Sequence, residues 1–245
     1  MALRIGVDLD GVLADMESEL VRQAEGLFGE PMTRLLQERA KGQEPATDNE
    51  PPEGTAEIVP RVVKLQMTSR QERRLWRHVG LIEGFWESLA ELEPGVIARL
   101  GALAAERRWE VIFLTKRPDT AGATAQVQTQ RWLEARGFPL PSVFVVQGSR
   151  GRIAAALDLH IVVDDRPENC LDVVVDSKAR AILVWREDEK LVPPGTRRLG
   201  IGVVKSTVEC LDILAEVDSS AATAERPGVM HRVRRLFGLK EPTSV

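Results

Sequence analysis

The sequence predicts an α/β fold with a doubly wound parallel sheet, and three observations predict it: short β-branched apolar runs, helical patterns between them, and acidic or hydroxyl residues where several runs end. The runs are LRIGVDL (3–9), EVIFLT (110–115), SVFVV (142–146), HIVVD (160–164), AILVW (181–185) and IGVVK (201–205). Continuous apolar strands of this kind belong to a parallel sheet covered on both faces. Between them Val96, Leu100 and Leu103 repeat at helical spacing, as do Ile153 with Leu157, and Val208, Leu211 and Leu214. The last of these helices opens on Ser206 and Glu209, a capping box. Crossover helices between parallel strands wind right-handed, and ligands of such sheets lie at the carboxyl ends of the strands.

About 80 residues between the first strand and the helix near Pro94 contain no convincing strand and read as an inserted helical cap. Its helices are expected over Ala14 to Phe28, over Pro31 to Ala40, and from a Ser69/Glu72 capping box that leads into Leu75, Trp76 and Val79. The expected organisation is therefore a core over 1–14 and 90–217 and a cap over 15–89. Within the cap, GQEPATDNEPPEGTAE (42–57) has three prolines, five acidic residues and no basic one, the composition of a mobile loop. Residues 218–245 read as a flexible tail, Ala/Ser-rich and then basic (MHRVRRLFGLK).

At 245 residues the chain is long enough for one large domain with an insertion, burying about 70% of its unfolded surface. With 33 basic against 37 acidic residues the net charge is −4, which argues against a protein that coats a nucleic-acid polymer. Cys170 and Cys210 fit no zinc or CxxC spacing, and no apolar run reaches the length of a membrane span. The first strand begins within three residues of the start, without a secretion signal. The expectation is a soluble, reduced, cytoplasmic protein, for which a homodimer is allowed.

The chemistry lies at the strand ends. Asp8-Leu9-Asp10-Gly11 follows the first strand, Thr115 ends the second, and Asp164-Asp165 end the fourth. Singly, each is an ordinary turn or strand residue. Together, Asp8, Asp10, Asp164 and Asp165 would crowd one edge of the sheet, and two carboxylates about 4 Å apart repel by on the order of 4 kcal/mol at an effective dielectric near 20. They require a cation or shared protons. An open, all-oxygen donor set without His or Cys suits Mg²⁺ better than a Ca²⁺ cage, and a metal there would attract a phosphoryl group.

In this order and at these positions the residues resemble the haloacid dehalogenase superfamily, over roughly residues 1–216. The resemblance implies that Asp8 is a nucleophile forming an aspartyl-phosphate and that Asp10 is the acid and base. It implies Mg²⁺ held by Asp8, the Asp10 carbonyl, Asp164 and Asp165, and Thr115 on a phosphoryl oxygen. Asp at position 10 argues against the dehalogenases themselves. Where the family carries a Lys, this chain offers Arg150 and, after it, Arg152; Lys116 is the alternative, ranked below Arg150. Arg binds phosphate as a planar, permanent fork, so the geometry would differ.

The insertion occupies the position of a cap that selects small phosphorylated substrates. Within the superfamily the chain is similar to the deoxyribonucleotidases: DLDGVLAD (8–15), Phe85 and Trp86 before Pro94-Gly95, and Trp132-Leu133. A (deoxy)nucleoside monophosphate is thus the implied substrate. Phe85 and Trp86 stack on its base or simply pack the cap. Arg70, Arg73, Arg74 and Arg77 read as a solvated helix face. His78, His160 and His231 form no triad with a nucleophile, and the phosphate-loop and dinucleotide fingerprints are missing. A receiver domain is rejected by order, since it carries its acidic pair at the first strand. The rival expectation is a binding or regulatory protein that keeps the metal site with weak turnover, because Arg150 stands where Lys is usual.

Overall fold

The computed structural model describes residues 2–42 and 62–222. The strands are β1 (Arg4–Asp8), β2 (Glu110–Thr115), β3 (Ser142–Val145), β4 (Ile161–Asp164), β5 (Arg180–Val184) and β6 (Gly202–Val204). The helices are α1 (Met16–Phe28), α2 (Glu30–Lys41), α3 (Ser69–Gly80), α4 (Val96–Arg107), α5 (Ala125–Glu134), α6 (Arg150–Ala156), α7 (Pro167–Asp176) and α8 (Thr207–Ala222). All six strands pair in parallel in the order β3-β2-β1-β4-β5-β6. The order reverses at β1, which makes the sheet doubly wound and places the carboxyl ends of β1 and β4 side by side.

Among the described residues the chain forms two compact units: one runs up to Ala14 and takes Glu91–Thr115 and the residues from Leu133 onward, the other takes Asp15–Ala90 and Lys116–Trp132. In the first, Ile112, Leu114, Val162, Ala181 and Leu183 share one sheet face with Ala154 of α6 and Cys170 and Val173 of α7, forming an apolar core. Alternate residues such as Val163 and Ile182 are equally buried and point to the opposite face. α8 packs against β5, β6 and α4. β3 departs from the expectation of strands covered on both faces: it is an edge strand, and Phe144 and Val145 are exposed.

The second unit is helical. The Asp15 carboxylate caps α1 by accepting from the Ser18 N–H at 3.1 Å, and Gly29, at φ +84°, separates α1 from α2. The capping box of α3 is Thr68 with Gln71, one residue ahead of the Ser69/Glu72 pair read from the sequence. Both pairs satisfy the pattern, and Thr68 has the extended backbone that a cap requires. Arg70, Arg73, Arg74 and Arg77 are exposed on this helix, the Arg74 guanidinium lying 5.5 Å from the Phe28 ring. No helix among the described residues is long and apolar enough to cross a membrane. The acidic loop expected over 42–57 lies, beyond Gly42, outside the described residues, as does the tail after Ala222.

Candidate active site

Strand parity decides which side chains meet. Gly6 and Asp8 on β1, Ile112 and Leu114 on β2, and Val162 and Asp164 on β4 face the side that α6 covers. A β-carbon on Gly6 would meet Leu159 at 2.8 Å, so the sheet is closely covered here. Asp8 and Asp164, the last residues of their strands, thus point into a lined interior and not into water: they are 7% and 0% exposed.

Arg150, the first residue of α6, meets both of them. It is 2% exposed, donates from Nη2 to Asp8 Oδ1 and to the Leu114 carbonyl, and holds Nε 3.4 Å from Asp164 Oδ2. Its Nη1 is buried with no hydrogen-bond acceptor among the described residues. Arg152 lies exposed further along α6, and Lys116 is half-buried where the second unit's later segment begins. Arg150 is thus a cation set between two of the acidic strand ends.

Asp164 is further restrained. It accepts from the Arg166 N–H at 2.9 Å, and Asn169 Nδ2 lies 3.0 Å from each of its oxygens. The sequence reading passed over Asn169; its signal is its place in the first turn of a helix opened by Pro167, five residues after Asp164. Asp165 packs against the loop after β1. Gly11 has φ +90°, and a β-carbon there would lie 1.9 Å from Asp165 Oδ2, so glycine alone admits both the turn and the carboxylate. Thr115 is buried and donates to Asp10 Oδ2 at 3.3 Å, joining the end of β2 to the same loop.

Asp8, Asp164 and Asp165 each bring one carboxylate oxygen into a group spanning no more than 4.8 Å. Burial, and then the Asp164 charge, pushes Asp8 well above the usual carboxylate range despite Arg150 beside it. The same two causes push Asp165 up to about 8. Among the described residues, Asp165 Oδ1 is buried without a hydrogen-bond partner. A hard divalent cation fits this set: it would supply the missing positive charge, oxygen donors are what Mg²⁺ takes, and the orphaned oxygen would gain a partner.

Phe85 and Trp86 lie in the second unit and are wholly buried. Their rings meet edge to face at 4.8 Å, Trp86 Nε1 donates to the Pro118 carbonyl, and the Arg117 guanidinium lies 4.8 Å from the Trp86 ring and 5.6 Å from that of Trp132. Both rings are packed into the unit's interior, which leaves no open face on which a base could stack.

No protein-family model matches the chain, and no curated protein does. Among solved structures, one from Thermotoga maritima that carries the name beta-phosphoglucomutase is 18% identical, with 88% of this chain and 99% of that chain covered and a TM-score of 0.52. A hydrolase from Pseudomonas syringae is also 18% identical (89% and 99% covered, TM-score 0.49), and a HAD family hydrolase from Deinococcus radiodurans R1, with bound phosphate and sodium, is 15% identical (88% and 96% covered, TM-score 0.48). The six-stranded parallel sheet and its helices thus form the Rossmann-like α/β fold of haloacid dehalogenase type.

Proposed function

We propose that the chain is a phosphatase of the haloacid dehalogenase superfamily, hydrolysing small phosphomonoesters with Mg²⁺ through an aspartyl-phosphate on Asp8. The observation that carries this reading is the gathering of Asp8, Asp164 and Asp165 within 4.8 Å at the carboxyl edge of the sheet, with Arg150 against two of them. Asp8, Asp164 and Asp165, with the Asp10 carbonyl, would hold the ion, which when bound offsets the negative charge of both the carboxylates and the phosphate.

The remaining chemistry belongs to the chain. An Asp8 oxygen attacks phosphorus while the ester oxygen leaves, protonated by Asp10; Asp10 then takes a proton from the water that attacks the acyl phosphate, releasing phosphate and regenerating Asp8. Without substrate the Thr115 hydroxyl donates its single proton to Asp10 and orients the carboxyl; with substrate bound, that proton turns to the phosphoryl oxygen assigned to it. Arg150, whose Nη1 has no hydrogen-bond acceptor among the described residues, offers a fixed donor to the same group.

For the leaving group we favour a nucleoside, on the motif likeness of residues 8–15 to deoxyribonucleotidases. Phe85 and Trp86 are assigned to packing and not to the base. Purified protein is to be incubated with nucleoside monophosphates, sugar phosphates and p-nitrophenyl phosphate, with and without Mg²⁺. Phosphate release that requires Mg²⁺ and is strongest on nucleotides is expected; release from sugar phosphates alone would reject the nucleotidase part, and no release at any pH would reject catalysis. A weakly turning phosphate-binding protein is the second reading, favoured by the buried Arg150 between Asp8 and Asp164; tight beryllofluoride binding without hydrolysis would establish it.

A further inference from the structure

We propose that Arg186 is a positioning residue for this reaction, holding the loop that carries Asp10 by its backbone, and that Glu93 holds Arg186 in place. The inference rests on the phosphatase reading and adds to it a residue remote in sequence from every motif.

The loop after β1 makes its turn at Gly11, and its own closing bonds, Gly11 N–H to the Ala14 carbonyl and Leu13 and Ala14 N–H to the Leu9 carbonyl, leave the carbonyls of Gly11 and Val12 to be satisfied from outside. Arg186, two residues past the end of β5, supplies the donors: Nη1 to the Gly11 carbonyl, and Nη2 to the Val12 carbonyl at 3.1 Å. The Thr207 hydroxyl, 2% exposed, donates to the same Val12 oxygen at 2.7 Å.

Glu93 closes the set. One oxygen accepts from Arg186 Nη2 at 2.6 Å and from the Thr207 N–H at 2.7 Å; the other accepts from the Val208 N–H at 2.9 Å. These amides open α8, so the carboxylate sits on a helix N-terminus as well as on a guanidinium. These three donors hold Glu93 below the usual carboxylate range although burial pulls the other way. Two segments, at Arg186 and at Thr207, therefore converge on two carbonyls of one loop, and a third, at Glu93, ties them together. A surface ion pair would need no such convergence.

The link to Asp10 is a single residue. The Gly11 carbonyl belongs to the peptide that follows Gly11, and the Asp10 carbonyl to the one that precedes it. Glycine at φ +90° is the least restrained of hinges, so both peptides must be held: the Gly11 N–H bond to the Ala14 carbonyl holds the one that carries the Asp10 carbonyl, and Arg186 holds the one that follows, which together keep the turn and the direction of Asp10. Arg suits the task because its planar fork reaches two carbonyls and a carboxylate at once, which a Lys ammonium cannot do.

The test uses the full chain with Arg186→Met, Arg186→Lys and Glu93→Gln, reading kcat and KM on p-nitrophenyl phosphate, Mg²⁺ affinity by calorimetry, and amide exchange at Leu13 and Ala14. For Arg186→Met, kcat and Mg²⁺ affinity are each expected to fall about tenfold to a hundredfold, as for other groups that orient a metal's ligands, with KM little changed and faster exchange at both amides. Arg186→Lys is expected to recover part of the loss. A folded Arg186→Met with unchanged kcat and unchanged Mg²⁺ affinity overturns the proposal; should it not fold, Glu93→Gln decides by the same readouts. If the wild type binds Mg²⁺ yet hydrolyses nothing, the phosphatase reading fails while the affinity arm still judges Arg186, and a wild type that binds no Mg²⁺ overturns both.

Discussion

Arg150 is the side chain whose replacement is most informative, since its guanidinium lies against both Asp8 and Asp164. Removing one partner of a buried charge set leaves uncompensated charge, at a cost of about 3–5 kcal/mol. Arg150→Met is therefore expected to lower unfolding free energy by about that amount at pH 8, and by less at pH 5, because burial and the Asp164 charge favour the protonated form of Asp8. Urea unfolding at the two pH values checks this; an equal loss at both would mean that the guanidinium compensates no charge. At this scale the sequence was readable where a residue ends a strand: Asp8, Thr115, Asp164 and Asp165 all stand at carboxyl ends because parity and length of an apolar run place them there. Asn169 was not readable, because its value lies in reaching back across a turn to Asp164. Phe85 and Trp86 were readable as aromatics that either stack on a base or pack the cap, and the choice between the two was hidden, since burial depends on Arg117, Pro118 and Trp132, more than thirty positions away.

The helix α6 carries Arg150 to the site, and what locates α6 is its contact with α7. A β-carbon at Gly151 would lie 2.0 Å from the Asp172 carbonyl oxygen and 2.6 Å from the Asp176 β-carbon, so the backbones touch and nothing flexible can yield. Gly151→Ala is expected to destabilise the protein by about 1–3 kcal/mol, the range for overpacking, and to lower phosphatase activity because α6 must shift with Arg150 at its first position. Thermal unfolding and kcat measured together check this; a variant with wild-type stability and activity would mean that α6 does not depend on this approach. Sequence periodicity had located α6 through Ile153 and Leu157, but the requirement for glycine was hidden, because it comes from Asp172 and Asp176 on the next helix. The same limit explains β3, whose exposed Phe144 follows from its place at the sheet edge and not from its composition, whereas the cap of α3 fell one residue earlier, at Thr68, because two overlapping pairs satisfy the same local pattern.

At the scale of the whole molecule, the acidic edge sets how stability depends on pH. The Asp165 carboxyl, at about 8 when folded against about 4 when unfolded, binds its proton more tightly in the native state. Its contribution is therefore complete below the unfolded value and is lost as pH rises through the folded one, by up to about 1.4 kcal/mol per pH unit. Metal-free protein is expected to lose Tm from pH 5.5 to 8, and saturating Mg²⁺ to remove most of that decline; a Tm that rises over this range without metal would contradict the charge crowding. The alternation of apolar runs and helices made the doubly wound sheet legible from the sequence, because each crossover must return to the same edge. The association of Lys116–Trp132 with Asp15–Ala90 was not legible, as it rests on pairs such as Trp132 Nε1 with the Leu89 carbonyl and Gln128 with Trp86 that no local pattern announces.

The nucleophilic role of Asp8 is tested most directly by mass spectrometry of an Asp10→Asn variant quenched in acid during incubation with a phosphomonoester and Mg²⁺. With p-nitrophenyl phosphate as the phosphomonoester the leaving phenolate needs no proton from Asp10, whereas the second step stalls without the group that draws a proton from water, and a phosphate adduct on the peptide containing Asp8 is the expected result. Steady phosphate release by an Asp8→Asn protein, with no adduct on that peptide in either variant, would contradict the account.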